Sequence, residues 1–377
     1  MAINKRQHYV PQLYLRLFSD DKKTVTVFSL KDNKIVSENA SIARQCYKNY
    51  FYSTNPEIEK MISDVESAAK PIIDKILKSK IKPSRKTEDY YRLLIFVLYQ
   101  SARTLFAADQ LNEGIDKLGK MILKKVIEFE KPKGIKIDDV DKVTMKYDKP
   151  AIQNLQAVTE VFPLLFDLNC KIVVNATKCE FITSDNPVVN YNKYYFKDYF
   201  NYCGFANKGL IIIFPLSPKV CLFFYDSNMY KIGGKKLHTT IHCYNENDIT
   251  ELNILQYLNA NQVIFTKSMK NKYINFIVSK AIKYKSMDKS IVKEQKVVVK
   301  DMGEQSVIRY TRPKCKYEIC ISFLKIRKNI STKYLAQALV RDPYLVSLHK
   351  EFLKKVDEEK YKNSDWYVFL NDKRAGK

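Results

Sequence analysis

The chain has 377 residues, 46% of them apolar, which is enough for a large core and for two domains, or for one domain with an appendage. Its eight cysteines form no C-x-x-C pair and its nine glycines build no P-loop or GxGxxG, so zinc-knuckle and nucleotide-cradling classes drop out. The formal charge of +24 is inflated by a Lys-, Asn-, Tyr- and Ile-rich composition of the kind an AT-rich genome produces, so its distribution along the chain matters more than its size.

HYVPQLYLRLF stands near the start of the chain, from His8 to Phe18. If it turns helical after Pro11, Gln12 and Arg16 share a face that flanks His8. KTVTVFSL and NKIVSEN alternate and are separated by KDN, which predicts a hairpin. From Asn55, a capping Asn and a first-turn Pro56 lead into a stripe of Ile58, Met61, Ile62, Val65, Ala69, Ile72 and Ile76, and this predicts a long helix kinked at Pro71. A second helix is expected from Thr87 to Asp109 and a third over NEGIDKLGKMILKKVIEFE. KPKGIKIDDVDKVTMKYDKP reads as a surface connection, and residues 150–167 as another helix.

The chain then turns to strands: KIVVNAT, CEFITSD, PVVNY, LIIIFPL and KVCLFFY, dense enough in apolar residues to imply a central sheet. Their longest apolar run, GLIIIFPLSPKVCLFF, is interrupted by prolines, a serine and a lysine, so it reads as paired buried strands and no membrane span. KYYFKDYFNYCGF between them is an aromatic loop over the sheet, a lid or a rim. His238 and His242 in HTTIH have helical ligand spacing, but β-branched neighbours favour a strand and the zincin Glu is missing. NENDITELNILQYLNANQVIFTKSMKNKYINFIVSKAIKY reads as helix. From Ser286 onward, alternating basic segments and a helix from Thr332 to Lys360 predict an appendage. The fold expected is therefore α+β: a core over residues 1–285 with a central, mostly antiparallel sheet flanked by long helices, and a basic C-terminal α+β appendage over 286–377. With no secretory-type N-terminal segment, a cytoplasmic location is expected.

Charge is concentrated late. Between Lys267 and Lys333 stand eighteen basic and five acidic side chains. Such a stretch attracts phosphate backbones, and Lys267, Lys270, Lys272, Lys280, Lys283, Lys285, Arg309, Arg312 and Lys314 are its candidate nucleic-acid contacts. The plainer reading is a solvated lysine-rich face.

HYVPQLYLRLF, FITSDNPVV, FPLSPKVCLFF and DITELNILQYLNANQVIFT occur in an order that resembles the bacterial family called domain of unknown function 4238, over about residues 7–285. The HxxPxxxL opening and the TSDNPV turn are the more specific of the four. The resemblance implies that Glu59 and Glu66 match paired glutamates on the family's first long helix, and that Arg103 matches a helix arginine. It implies no activity.

Each candidate has a structural reading beside the functional one. His8 is either a general acid/base or a clamp on the N-terminal segment. Asp185 is either exposed to a cleft at a strand end or an Asx-type cap on backbone amides. Arg103, in the apolar stretch LLIFVLYQSARTLF, must find a carboxylate or a phosphate, with Gln100 on the same face. Asp185, Glu66 and Glu59 are the carboxylates that could hold Mg²⁺. Three functions remain open. The leading one is a nuclease-like enzyme on RNA or DNA, a toxin or phage-defence effector, with His8, Gln12, Glu66, Arg103 and Asp185 at its centre. The second is a non-catalytic nucleic-acid-binding or sensing protein. The third is a hydrolase or transferase on a small ligand under the aromatic loop between Asn192 and Phe205.

Overall fold

A computed structural model describes residues 5–85, 87–132, 134, 136–198, 200–234, 239–268, 271–299, 303–331 and 339–375. The N-terminal part forms β1 (Arg6–His8), the single turn α1 (Gln12–Leu15), the hairpin β2 (Thr24–Ser29) and β3 (Lys34–Ser41), and β4 (Tyr47–Asn49). β1 pairs with β4 and sets His8 opposite Tyr47. Three long helices follow: α2 (Pro56–Ser79), α3 (Glu88–Ala102) and α4 (Leu105–Glu130). Asn55 caps α2 by accepting from the Glu57 amide, and the helix continues through Pro71.

The expected helix from Thr87 to Asp109 is broken in two. Arg103 leaves the helical region, and the Thr104 hydroxyl accepts from the Ala107 amide to start α4, which then absorbs the third expected helix. The break costs the Ala107 amide its carbonyl partner one turn earlier, and the threonine hydroxyl replaces it, so the cap stabilises a boundary that the apolar stripe runs through.

After α5 (Pro150–Val161) come β5 (Asn169–Asn175), β6 (Thr183–Ser184), β7 (Val189–Tyr191), β8 (Ile211–Ser217), β9 (Val220–Tyr225), β10 (Tyr230–Ile232) and β11 (Thr240–Cys243). Then α6 (Glu246–Asn259), β12 (Val263–Thr266), α7 (Asn271–Ala281), β13 (Ile291–Val299), β14 (Gly303–Thr311), β15 (Leu324–Ile326), α8 (Pro343–Asp357) and α9 (Trp366–Arg374) complete the described elements. The expected central sheet is corrected. Among the described residues the strands divide into a five-stranded sheet ordered β11-β5-β9-β8-β7, a four-stranded sheet ordered β3-β2-β12-β6, and three two-stranded pairs. All pairings are antiparallel except β11 with β5. VIFT causes part of the division: read as helix from sequence, it is β12, the strand that joins the N-terminal hairpin to the TSDNPV turn.

The five-stranded sheet is buried on both faces, which explains why its strands read as continuous apolar runs. Ile212, Phe214, Leu222 and Phe224 face the core shared with α2 and α3, while Ile211, Ile213, Cys221 and Phe223 face α6. The last ninety residues contribute to both cores. Phe352, Trp366 and Phe369 pack with the first, and Ile319, Ile321 and Leu324 with the second. β15 also pairs with β10. No helix among the described residues is long and apolar enough to cross a membrane.

Candidate functional site

Two polar regions stand out, and the Asp185 turn lies between them in the chain's packing. The first is built on the β1–β4 pair and α1. His8 Nδ1–H donates to the Gln45 carbonyl at 3.0 Å, which leaves Nε2 as an acceptor. The Gln12 amide donates to that Nε2 at 2.9 Å, and Arg16 donates to Gln12 Oε1 at 3.0 Å. The one-turn spacing of His8, Gln12 and Arg16 thus becomes a chain of hydrogen bonds with one consistent direction. Burial holds the His8 imidazole below its usual range, opposed by the Gln45 carbonyl and Glu66 and assisted by Arg103 and Arg16. His8 is therefore a neutral ring at neutral pH, with its acceptor nitrogen fixed.

Arg103 sits at the α3–α4 break, 2% exposed. Its Nη1 donates to Glu66 Oε1 at 2.7 Å and its Nε to Gln100 Oε1 at 3.1 Å, while Nη2 is buried without a partner. Tyr52 joins by donating to the His8 carbonyl at 3.0 Å. His8, Gln12, Glu66 and Arg103 thus form one neighbourhood. Glu59 lies two helical turns before Glu66, half-buried. Among the described residues no three His, Cys, Asp or Glu side chains group closely enough to hold a metal ion.

Asp185 is placed differently. Its two carboxylate oxygens accept from the Asn261 and Gln262 amides at 2.9 and 2.8 Å, and its own amide donates to the Val263 carbonyl. Burial pushes its carboxyl up to about 6 against the pull of those amides and of Lys285. Lys285 donates to the carbonyls of Tyr257, Leu258 and Ala260 at the C-terminal end of α6, and burial brings it down to about 8. The segment after α6 is thus gripped by a carboxylate on its amides and an ammonium on its carbonyls. Asn186 and Asn259 lock the same two segments together, with the Asn186 amide donating to the Asn259 carbonyl and the Asn259 amide to the Asn186 and Val188 carbonyls.

The second region is a groove of about 620 Å³ between the aromatic loop and the β13–β14 hairpin. Seven cationic residues line it against two acidic ones, Asp198 and Asp288. Five of the seven were candidates from sequence: Lys283, Lys285, Arg309, Arg312 and Lys314. Lys293 and Lys316 complete the set; both belong to the basic stretch, but nothing in their spacing singled them out. The opposite wall is the aromatic loop. Arg309 stacks over Phe200 at 4.1 Å and Lys314 over Phe196 at 5.1 Å, while Lys283 lies 5.1 Å from the Tyr284 ring. Lys314 also donates to the Asp198 carbonyl. The loop is anchored at its base by Gly209, whose φ of +73° and crowding by Asn192 and Tyr230 leave no room for a Cβ.

The remaining described candidates stand apart from the groove lining. Lys267 pairs with Asp20 at 2.6 Å. Lys272 is exposed on α7, and Lys280 lies 4.5 Å from the Phe276 ring on the same helix. Lys270 and His238 lie outside the described residues, and His242 is an exposed strand residue beside Tyr244.

Residues 6–270 match the family described as protein of unknown function (DUF4238). The chain belongs to the DUF4238 family. Comparison with curated proteins and with solved structures returns no match. The DUF4238 region holds the His8 neighbourhood, the Asp185 turn and the aromatic wall of the groove, whereas the groove's seven cationic residues all follow residue 270.

Proposed function

We propose that this DUF4238 protein binds single-stranded nucleic acid along the groove between the aromatic loop and the basic hairpin. One observation carries the reading: seven cationic and two acidic residues line a single groove whose aromatic rings alternate with cations. Cations track a phosphate backbone and rings give unpaired bases a stacking surface, the combination used to hold single strands. A duplex keeps its bases stacked inside and gains nothing from the rings. The test is fluorescence anisotropy with a single-stranded RNA, a single-stranded DNA and a duplex of equal length. The reading expects the single strands to bind at least tenfold tighter than the duplex. Equal affinities reduce the groove to a general polyanion surface.

Cleavage is the second reading, favoured by the buried, unpartnered Nη2 of Arg103 beside a neutral His8. In it, once the Gln12 amide moves aside, His8 Nε2 takes the proton of a water that attacks the phosphorus; the P–O bond to the strand breaks, the leaving oxygen takes the proton back from His8, and Arg103 stabilises the phosphate charge with Glu66 holding it in place. Labelled RNA and DNA incubated with the wild type and His8→Ala, with Mg²⁺ and with chelator, test it. Intact strands in every lane leave a binding protein. The small-ligand alternative shares the aromatic loop with the groove, so salt separates them: raised salt abolishes strand binding and spares an uncharged ligand.

A further inference from the structure

A smaller pocket of about 300 Å³ opens beside the groove and shares Tyr284, Lys285, Arg312 and Lys314 with it. Its size is at the lower end of small-ligand pockets. Phe106, Tyr191 and Tyr284 give it aromatic walls, and the carboxamides of Asn190 and Asn261 are part of its lining. Asn190 Oδ1 and Asn261 Nδ2 are both shielded from solvent and without a hydrogen-bond partner. Native chains pair nearly all such atoms, so two in one pocket call for an explanation. Neither residue sits on a loose segment. Asn190 is the middle residue of β7, in register with Ile212 of β8. Asn261 donates its backbone amide to Asp185 at 2.9 Å, directly after the carbonyls that Lys285 caps.

We infer that this pocket takes one unstacked nucleobase from a strand lying in the groove, adenine being the best match. The inference rests on the single-strand reading above. A carboxamide offers a donor and an acceptor side by side; adenine presents the complementary pair at N6 and N7, and its two fused rings give the aromatic walls a larger stacking face than a pyrimidine does. A half-turn of either carboxamide exchanges its oxygen and nitrogen, so the match holds for both orientations. The flanking phosphates remain with Arg312 and Lys314 at the shared edge, and the ring stacks on the aromatic walls as an extruded base does.

The experiment compares an oligo-A, an oligo-U and an abasic strand of one length, by anisotropy, on the wild type and on Asn190→Ala and Asn261→Ala. The wild type is expected to bind oligo-A about tenfold tighter than the other two. Each variant is expected to lose that preference while binding the abasic strand as the wild type does. Asn190→Leu, close in volume but without donor or acceptor, is expected to lose it too, at a melting temperature no lower than the wild type's, which separates recognition from misfolding. Equal binding of all three strands by the wild type, or a preference that survives in the variants, overturns the base pocket and leaves the groove standing. Failure of the wild type to bind any strand overturns the groove, and the pocket with it.

Discussion

Asp185 accepts two backbone amides with a carboxyl whose ordinary state is charged, in a place where charge is costly. Its folded value near 6 lies above the usual 3.8, so the folded chain holds this proton more tightly than the unfolded one. The stability it contributes is fully present below about pH 4 and is lost as the pH rises through 6. Asp185→Asn removes that titration. Relative to the wild type, the variant's unfolding free energy is expected to gain about 2–3 kcal/mol between pH 4 and pH 7, read from urea melts at each pH. A constant difference across that range means that Asp185 titrates normally. Glu66→Gln addresses a second buried charge, that of Arg103. Arg103, 2% exposed, then loses the carboxylate it is paired with, and the expected cost is about 3 kcal/mol in the same assay. His8→Ala removes two hydrogen bonds and is expected to cost about 1–2 kcal/mol. In a cleaving enzyme it would also abolish the reaction.

At the scale of elements, what was legible follows range along the chain. The i, i+4 spacing of His8, Gln12 and Arg16 is local, and the turn after Pro11 realises it. The β2–β3 hairpin and the start of α2 were readable for the same reason: the alternation, the turn and the cap all lie within a few residues of where they act. The break at Arg103 and Thr104 was not, because the apolar stripe runs on through it and one hydroxyl decides the boundary. VIFT was not either. Its strand character comes from partners more than seventy residues away in sequence, at Thr183 and Ser184 and in β2. The interlock of the TSDNPV turn with NANQ belongs to the same class. Two motifs visible separately meet only once β12 is in place. Asn190 and Asn261 carried no signal beyond lying in or beside those motifs, since an asparagine near a turn is ordinarily a turn residue.

Across the whole molecule, the surplus of basic residues after Lys267 and the aromatic loop around Phe196 were both visible in sequence, as separate features with separate explanations. Folding brings them together in the lining of one groove. The hairpin β13–β14 is held there by packing on α4, with Lys125 paired to Glu294 at 2.6 Å and Lys117 to Asp288 at 3.2 Å. Glu294 and Asp288 are thereby engaged by lysines of α4, which leaves Asp198 as the groove's other acid. The direct measurement is the salt dependence of single-strand binding for the wild type, for Lys283→Ala/Arg309→Ala/Lys314→Ala, and for a control with the exposed α2 lysines changed, Lys60→Ala/Lys75→Ala/Lys78→Ala. Removing three phosphate contacts is expected to flatten the slope of log K against log salt by about 2 and to weaken binding at least tenfold, with the control behaving as the wild type does. If both triple variants lose the same affinity and slope, binding follows the overall charge and the groove has no special part in it.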